Sequence, residues 1–173
     1  LERLRGALGE MEDLVTGFLW LAREQRPGLE LDPLPVAPEV EMLVAELSSR
    51  AAARGLDIEL ERRGEPEAVA PRAVVRIVLG NLLRNAIAHS ERGPVRVTID
   101  VAGVRVVNPL PGAEAPGVDP QTSFGFGLTI VRDLCRRFGW GLELGPDGRD
   151  RFVAHVALTP PAGPGDDRGH QNE

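Results

Sequence analysis

The first 25 residues carry an apolar stripe at spacings of three and four: Leu1, Leu4, Leu8, Met11, Val15, Phe18 and Ala22. Ala7, Leu14 and Leu21 add a flanking row. The pattern predicts one long helix of the kind that sits inside a bundle. Its register repeats every seven residues, so the expected partner is a second copy of the chain. Leu19 and Trp20 fall outside the stripe and face a different neighbour. Pro27, Pro33 and Pro35 then mark residues 26–37 as a stiff, extended linker.

A second body is expected from residue 38 to 159. A helix starts near Pro38, with Val40, Leu43, Val44, Leu47 and Ala51 inward and Gly55 as its C-terminal cap. Leu56 to Arg62 alternates as a half-buried strand, with Leu56, Ile58 and Leu60 inward. A short strand is expected around 68–70, then a helix over 72–89. Val95, Val97 and Ile99 alternate on one side of Ala102-Gly103, and Val104, Val106 and Val107 follow on the other, which predicts a hairpin. Residues 111–124 lack periodicity and are rich in Pro, Gly and Ala, as expected of a mobile loop that is either functional or disordered. A helix then runs to about Phe138, and strands at 140–144 and 151–158 pair around Pro146-Asp147-Gly148. The sum is an α+β fold of two layers: an antiparallel or mixed sheet of about five strands, covered by three helices on one face. Residues 160–173 are Pro-, Gly- and Asp-rich and are expected to be disordered.

The helix over 72–89 breaks its own pattern. It is apolar almost throughout, yet Asn81, Asn85 and His89 recur at i, i+4 and i+8 and share one face. An amide or imidazole buried without a partner costs about 1–3 kcal/mol, so something polar must meet this stripe. A second feature lies where the loop becomes a helix. Gly125 and Gly127 flank Phe126, followed by Leu128. Free N–H groups and the helix dipole favour an anion at such a point, and glycine lets a phosphate approach the backbone. Either feature alone is explained as well by ordinary packing.

Composition narrows the chemistry. The net charge is −6, which disfavours a nucleic-acid partner. All 20 basic residues are arginine, so no lysine clamp or Schiff base is available. Cys135 is the single cysteine, which excludes an intrachain disulfide and a cysteine-rich metal site and points to a buried thiol. No apolar run reaches the roughly 18 residues that would span a bilayer.

Taken in order, the polar-striped helix, the strand ending in Asn108-Pro109-Leu110-Pro111-Gly112, the loop and the glycine-led helix resemble the catalytic ATP-binding domain of bacterial sensor histidine kinases. That domain belongs to the GHKL superfamily, and its fold is of the Bergerat type. The resemblance covers about residues 37–159. Asn81 to Ser90 looks like the N box, Val106 to Gly112 sits at the first glycine box, and Ser123 to Val131 looks like the second. The leading helix at 1–25 then resembles the second helix of the dimerisation and phosphotransfer domain.

The resemblance implies ATP and Mg2+ as ligands. Asn85 would be the magnesium ligand, with Asn81 supporting metal and phosphates. His89 would lie beside the adenine, and Asn108 would accept from its amino group. Residues 111–124 would be the ATP lid. Gly112, Gly125, Phe126, Gly127 and Leu128 would cradle the phosphates, with Arg84 as a substitute clamp. Asn81 stands where water-splitting relatives carry a glutamate base, and its amide cannot take a proton at neutral pH, so transfer to a protein side chain is expected rather than hydrolysis.

The sequence departs from the family pattern at several places. Asn108 replaces an aspartate, Leu110 and Ser123 replace glycines, and Ala88 stands where a Lys or Arg is frequent. None of His89, His155 and His170 follows a His-Glu signature, so the acceptor histidine is expected outside this chain and the isolated fragment is expected to be inactive. The expected setting is cytoplasmic, with no direct membrane contact, and the expected partners are ATP, a second copy and a response regulator. The alternatives are a pseudokinase scaffold, or a serine kinase and anti-sigma binder on the same fold.

Overall fold

The computed structural model describes residues 32–110, 126–148 and 150–158. The helix expected at 1–25, most of the 26–37 linker, the loop at 111–124 and the tail at 160–173 lie outside the described residues.

Three helices form among the described residues: α1 (Ala37–Ala52), α2 (Arg72–His89) and α3 (Phe126–Phe138). The strands are β1 (Leu34–Pro35), β2 (Ile58–Arg62), β3 (Glu67–Ala68), β4 (Val95–Ile99), β5 (Gly103–Pro109), β6 (Gly141–Pro146) and β7 (Arg151–Ala157). The main sheet has five strands in the order β2-β4-β5-β7-β6, and β1 pairs with β3 in a separate two-stranded ribbon. β2 and β4 run parallel with α2 between them in sequence, while the other neighbours are antiparallel. The sheet is therefore mixed, and the fold is α+β in two layers.

Alternation builds the core. Val95, Val97 and Ile99 are fully buried, whereas Arg96 between them is exposed and pairs with Glu59 at 2.8 Å. Val104, Val106, Ala154 and Val156 continue the buried face across β5 and β7. Leu79, Leu82, Leu83 and Ile87 of α2 and Leu128, Val131 and Leu134 of α3 close over it. Truncating one of these leucines to Ala costs about 2–5 kcal/mol, because the lost methyls leave a cavity.

A glycine ends α1 as the pattern predicts. Gly55 follows α1 at φ +70°, and the Leu56 N–H closes the turn on the Ala51 carbonyl at 3.0 Å. Gly103 answers a different need, since a Cβ there would stand 1.9 Å from the Val156 carbonyl oxygen.

Three differences from expectation have physical causes. The last residues of the expected linker belong to the folded body, because Leu34–Pro35 pairs with Glu67–Ala68 and Val36 is fully buried. Proline richness hid a strand that lies in a two-stranded edge. Leu60 points to the covered side yet stays 37 % exposed, because β2 is the sheet's outer strand. Glu39, the third residue of α1, is buried to 2 %. Its carboxylate meets Arg72 Nε at 3.1 Å and Arg76 Nη1 at 3.6 Å, which ties α1 to the start of α2.

Candidate functional site

α2 sets the site. Its apolar sides are claimed by the sheet and by α1 and α3, which leaves the edge carrying Asn81, Asn85 and His89 half-buried to exposed. Asn81 donates from Nδ2 to the Ile77 carbonyl at 2.8 Å. That bond spends the donor on the helix's own backbone and leaves Oδ1 to face α3. There Oδ1 stands 2.7 Å from where a Cβ on Gly127 would be. The second residue of α3 is thus glycine because the Asn81 amide occupies the space of a side chain.

Asn85 lies one turn further on, half-buried, and its amide makes no hydrogen bond among the described residues. An amide oxygen is a hard donor suited to Mg2+. No three His, Cys, Asp or Glu side chains gather among the described residues, so a cation here would rely on amide oxygens and on its ligand's own phosphates. His89 is exposed at the last turn of α2. The loop after α2 turns back so that Gly93 approaches Pro109 Cγ, at 3.5 Å from a Cβ position on Gly93. That contact brings the end of β5, with Asn108, beside the end of α2. Asn108 is 3 % exposed, and its Nδ2 donates to the Pro109 carbonyl at 3.2 Å. The Leu110 N–H donates to the Asp150 carbonyl at 2.7 Å and pins this strand end to the β6–β7 turn.

Other members of the expected set fall differently. Leu128 is 2 % exposed and belongs to the core, so its side chain anchors α3. The Arg84 guanidinium folds back along α2 over Gly80, with Nη1 and Nη2 each 3.2 Å from a Cβ position there. Phe126 opens α3, while Gly112 and Gly125 lie outside the described residues. Ser90, just past α2, is buried and donates to the Ala86 carbonyl at 2.7 Å. Arg54 donates to the Ala88 and Ser90 carbonyls at 3.2 and 3.3 Å and so caps the negative end of the helix. Sequence reasoning missed Gly80, Arg54 and Glu39. A glycine inside an apolar helix, and charges that meet only in three dimensions, leave no periodic signal.

No family model matches the chain, and no curated protein sequence matches it. Solved structures do. The cytoplasmic segment of the histidine kinase QseC superposes with a TM-score of 0.70 at 21 % identity, covering 90 % of this chain and 92 % of that one. Full-length ShkA in complex with AMPPNP gives 0.64 at 25 % identity over 91 % of this chain, which spans 37 % of ShkA. The catalytic domain of the histidine kinase ThkA gives 0.56 at 21 % identity, covering 76 % of this chain and 99 % of that one. Element order, mixed sheet and helical layer agree with these likenesses, and the chain has the fold of the catalytic domain of histidine kinases.

Proposed function

We propose that this chain is the MgATP-binding catalytic part of a sensor histidine kinase. It would transfer the γ-phosphoryl group of ATP to a histidine outside this chain, for relay to an aspartate of a response regulator. The observation that carries the reading is the meeting of Asn81 Oδ1 with the glycine-led start of α3. Two features that are ambiguous alone meet there, with the half-buried Asn85 amide one turn further along α2. The nucleotide analogue in ShkA supports the same reading by analogy.

The residues fit the ligand. The start of α3 supplies a helix N-terminus, where N–H groups and dipole favour anions, with the Asn81 amide against Gly127 beside it. Asn85, supported by Asn81, would hold Mg2+, which neutralises phosphate charge when bound. Asn108 presents an acceptor to an adenine amino group, with its donor held by the Pro109 carbonyl. His89 would flank the base. Gly112, Gly125 and the loop 111–124 would complete the enclosure.

In the transfer itself, the bond from the γ-phosphorus to the bridging oxygen breaks and a phosphorus–nitrogen bond forms at the acceptor imidazole. The chain's own groups position the phosphates and offset their charge, which is most of what phosphoryl transfer requires. Asn81 cannot act as a base toward water, which disfavours hydrolysis. The helix at 1–25 would join a second copy, so Leu8→Glu with Val15→Glu should give monomers in ultracentrifugation; persistent dimers would place that interface elsewhere.

The test is calorimetric titration with AMPPNP, with and without Mg2+. Magnesium-dependent binding at micromolar to sub-millimolar affinity is the expected result. No binding at millimolar analogue would overturn the reading and favour a scaffold on the same fold.

A further inference from the structure

We infer that Arg54 is a positioning residue for the base side of the cleft. By clamping the end of α2 it seats Pro109 and keeps the Asn108 amide turned as an acceptor, which sets a preference for adenine over guanine. The inference rests on the nucleotide reading above and adds to it a residue outside the segments 81–90, 106–112 and 123–131.

The last carbonyls of a helix have no donor within it. At the end of α2 another element supplies one. Arg54 Nη2 donates to the Ala88 carbonyl at 3.2 Å and to the Ser90 carbonyl at 3.3 Å, on either side of His89. The root of that side chain is fixed. The Arg54 N–H closes on the Ala51 carbonyl at 2.9 Å, Gly55 turns the chain at φ +70°, and Leu56 is buried in the core. Three residues after Arg54, the Asp57 carbonyl accepts from the Val95 N–H at 2.8 Å. The turn between α1 and β2 therefore holds the segment 90–95 at both ends.

Between those anchors, Gly93 lies against Pro109, whose Cγ is 3.5 Å from the glycine's Cβ position. Pro109 in turn orients Asn108, because its carbonyl accepts from Nδ2 of that buried amide at 3.2 Å. Oδ1 is then the atom left for a base. Adenine carries an amino donor where guanine carries a keto acceptor. An amide fixed with Oδ1 toward the base accepts from the first and opposes the second. When Pro109 shifts, the amide is free to turn over and offer Nδ2 instead. A carboxylate would present an acceptor either way round, so the orientation matters because residue 108 is Asn.

The experiment uses the whole 173-residue chain. AMPPNP and GMPPNP are titrated with Mg2+ against the parent, Arg54→Gln, Arg54→Lys, Asn108→Asp and the variant carrying both Arg54→Gln and Asn108→Asp, each below its unfolding midpoint. The parent should prefer AMPPNP by at least about tenfold. Arg54→Gln should cut that preference about three- to tenfold, by weakening AMPPNP while GMPPNP holds or improves. Arg54→Lys keeps a charged donor and should restore most of the preference. In the Asn108→Asp background, Arg54→Gln should leave the preference within about twofold. Equal losses for the two analogues, an unchanged preference, a parent without preference, or an effect that persists in Asn108→Asp would each overturn the inference. A parent that binds neither analogue would instead defeat the nucleotide reading on which it rests.

Discussion

The side-chain oxygen of Asn81 fills the position that a Cβ of residue 127 would need, 2.7 Å from that point. The contact joins α2 to α3 at the expected phosphate end. Gly127→Ala must displace either the amide, which is held at Nδ2 by Ile77, or the first turn of α3. A loss of at least about tenfold in AMPPNP affinity is expected, equal to about 1.4 kcal/mol. The unfolding midpoint should change little, since the site is at a helix end. Unchanged affinity would show that the cleft tolerates a methyl group and that the contact is packing alone.

Asn85→Ala removes an open amide from a half-buried position. The fold should lose no more than about 0.5 kcal/mol, because no described partner is orphaned. Magnesium dependence of AMPPNP binding should disappear. Titration at two magnesium concentrations decides it, and a variant that keeps the dependence would remove Asn85 from the metal role.

Glu39 is buried to 2 %, while its partners Arg72 and Arg76 keep side-chain exposures of 65 % and 30 %. Breaking a fully buried ion pair costs about 3–5 kcal/mol, chiefly through the stranded charge. Here the stranded charges can reach water, so Glu39→Ala should cost about 1–2 kcal/mol in urea unfolding. Nucleotide affinity of the folded protein should be unaltered, since the pair lies at the opposite end of α2 from Asn85. A coupled loss of affinity would show that α1 helps to hold the cleft.

Cys135 is 1 % exposed, and burial pushes its thiol up from 9.0 to about 12. The native state therefore holds this proton more tightly than the unfolded chain. That contribution is complete below pH 9 and is lost as pH rises from 9 towards 12. The parent should lose stability steeply above pH 9, by up to a few kcal/mol in all. Cys135→Ala should be less stable at neutral pH and flatter across the alkaline range. An equally steep decline in the variant would assign the alkaline loss to other groups. The native thiol should also resist disulfide reagents until the protein unfolds.

Long periodic segments were legible in the sequence. The helix expected at 72–89 spans Arg72–His89, and the alternation of Val95, Val97 and Ile99 gives a buried strand face. These segments meet one large apolar layer, so their spacing records where it lies. The ribbon of Leu34–Pro35 with Glu67–Ala68 was not legible, because two residues are too few for a period and prolines argue against pairing. Within the site, Asn81 was readable from its spacing to Asn85, and its contact with Gly127 was not. That contact joins positions 46 residues apart in sequence, and neither residue's local pattern mentions the other.

The ladder between β5 and β7 joins seven residue pairs, from Gly103 with Ala157 to Pro109 with Arg151, and is closed at one end by Leu158 on Ala102 and at the other by Leu110 on Asp150. Among the described residues, those before Leu110 meet those after Phe126 chiefly across this seam and the α2–α3 contact. A polypeptide cut anywhere between those two residues would therefore yield complementary pieces, one with α1, α2 and β1 to β5, the other with α3, β6 and β7. Such pieces would report on their own reassociation, with the expected nucleotide cleft formed only when the two are rejoined.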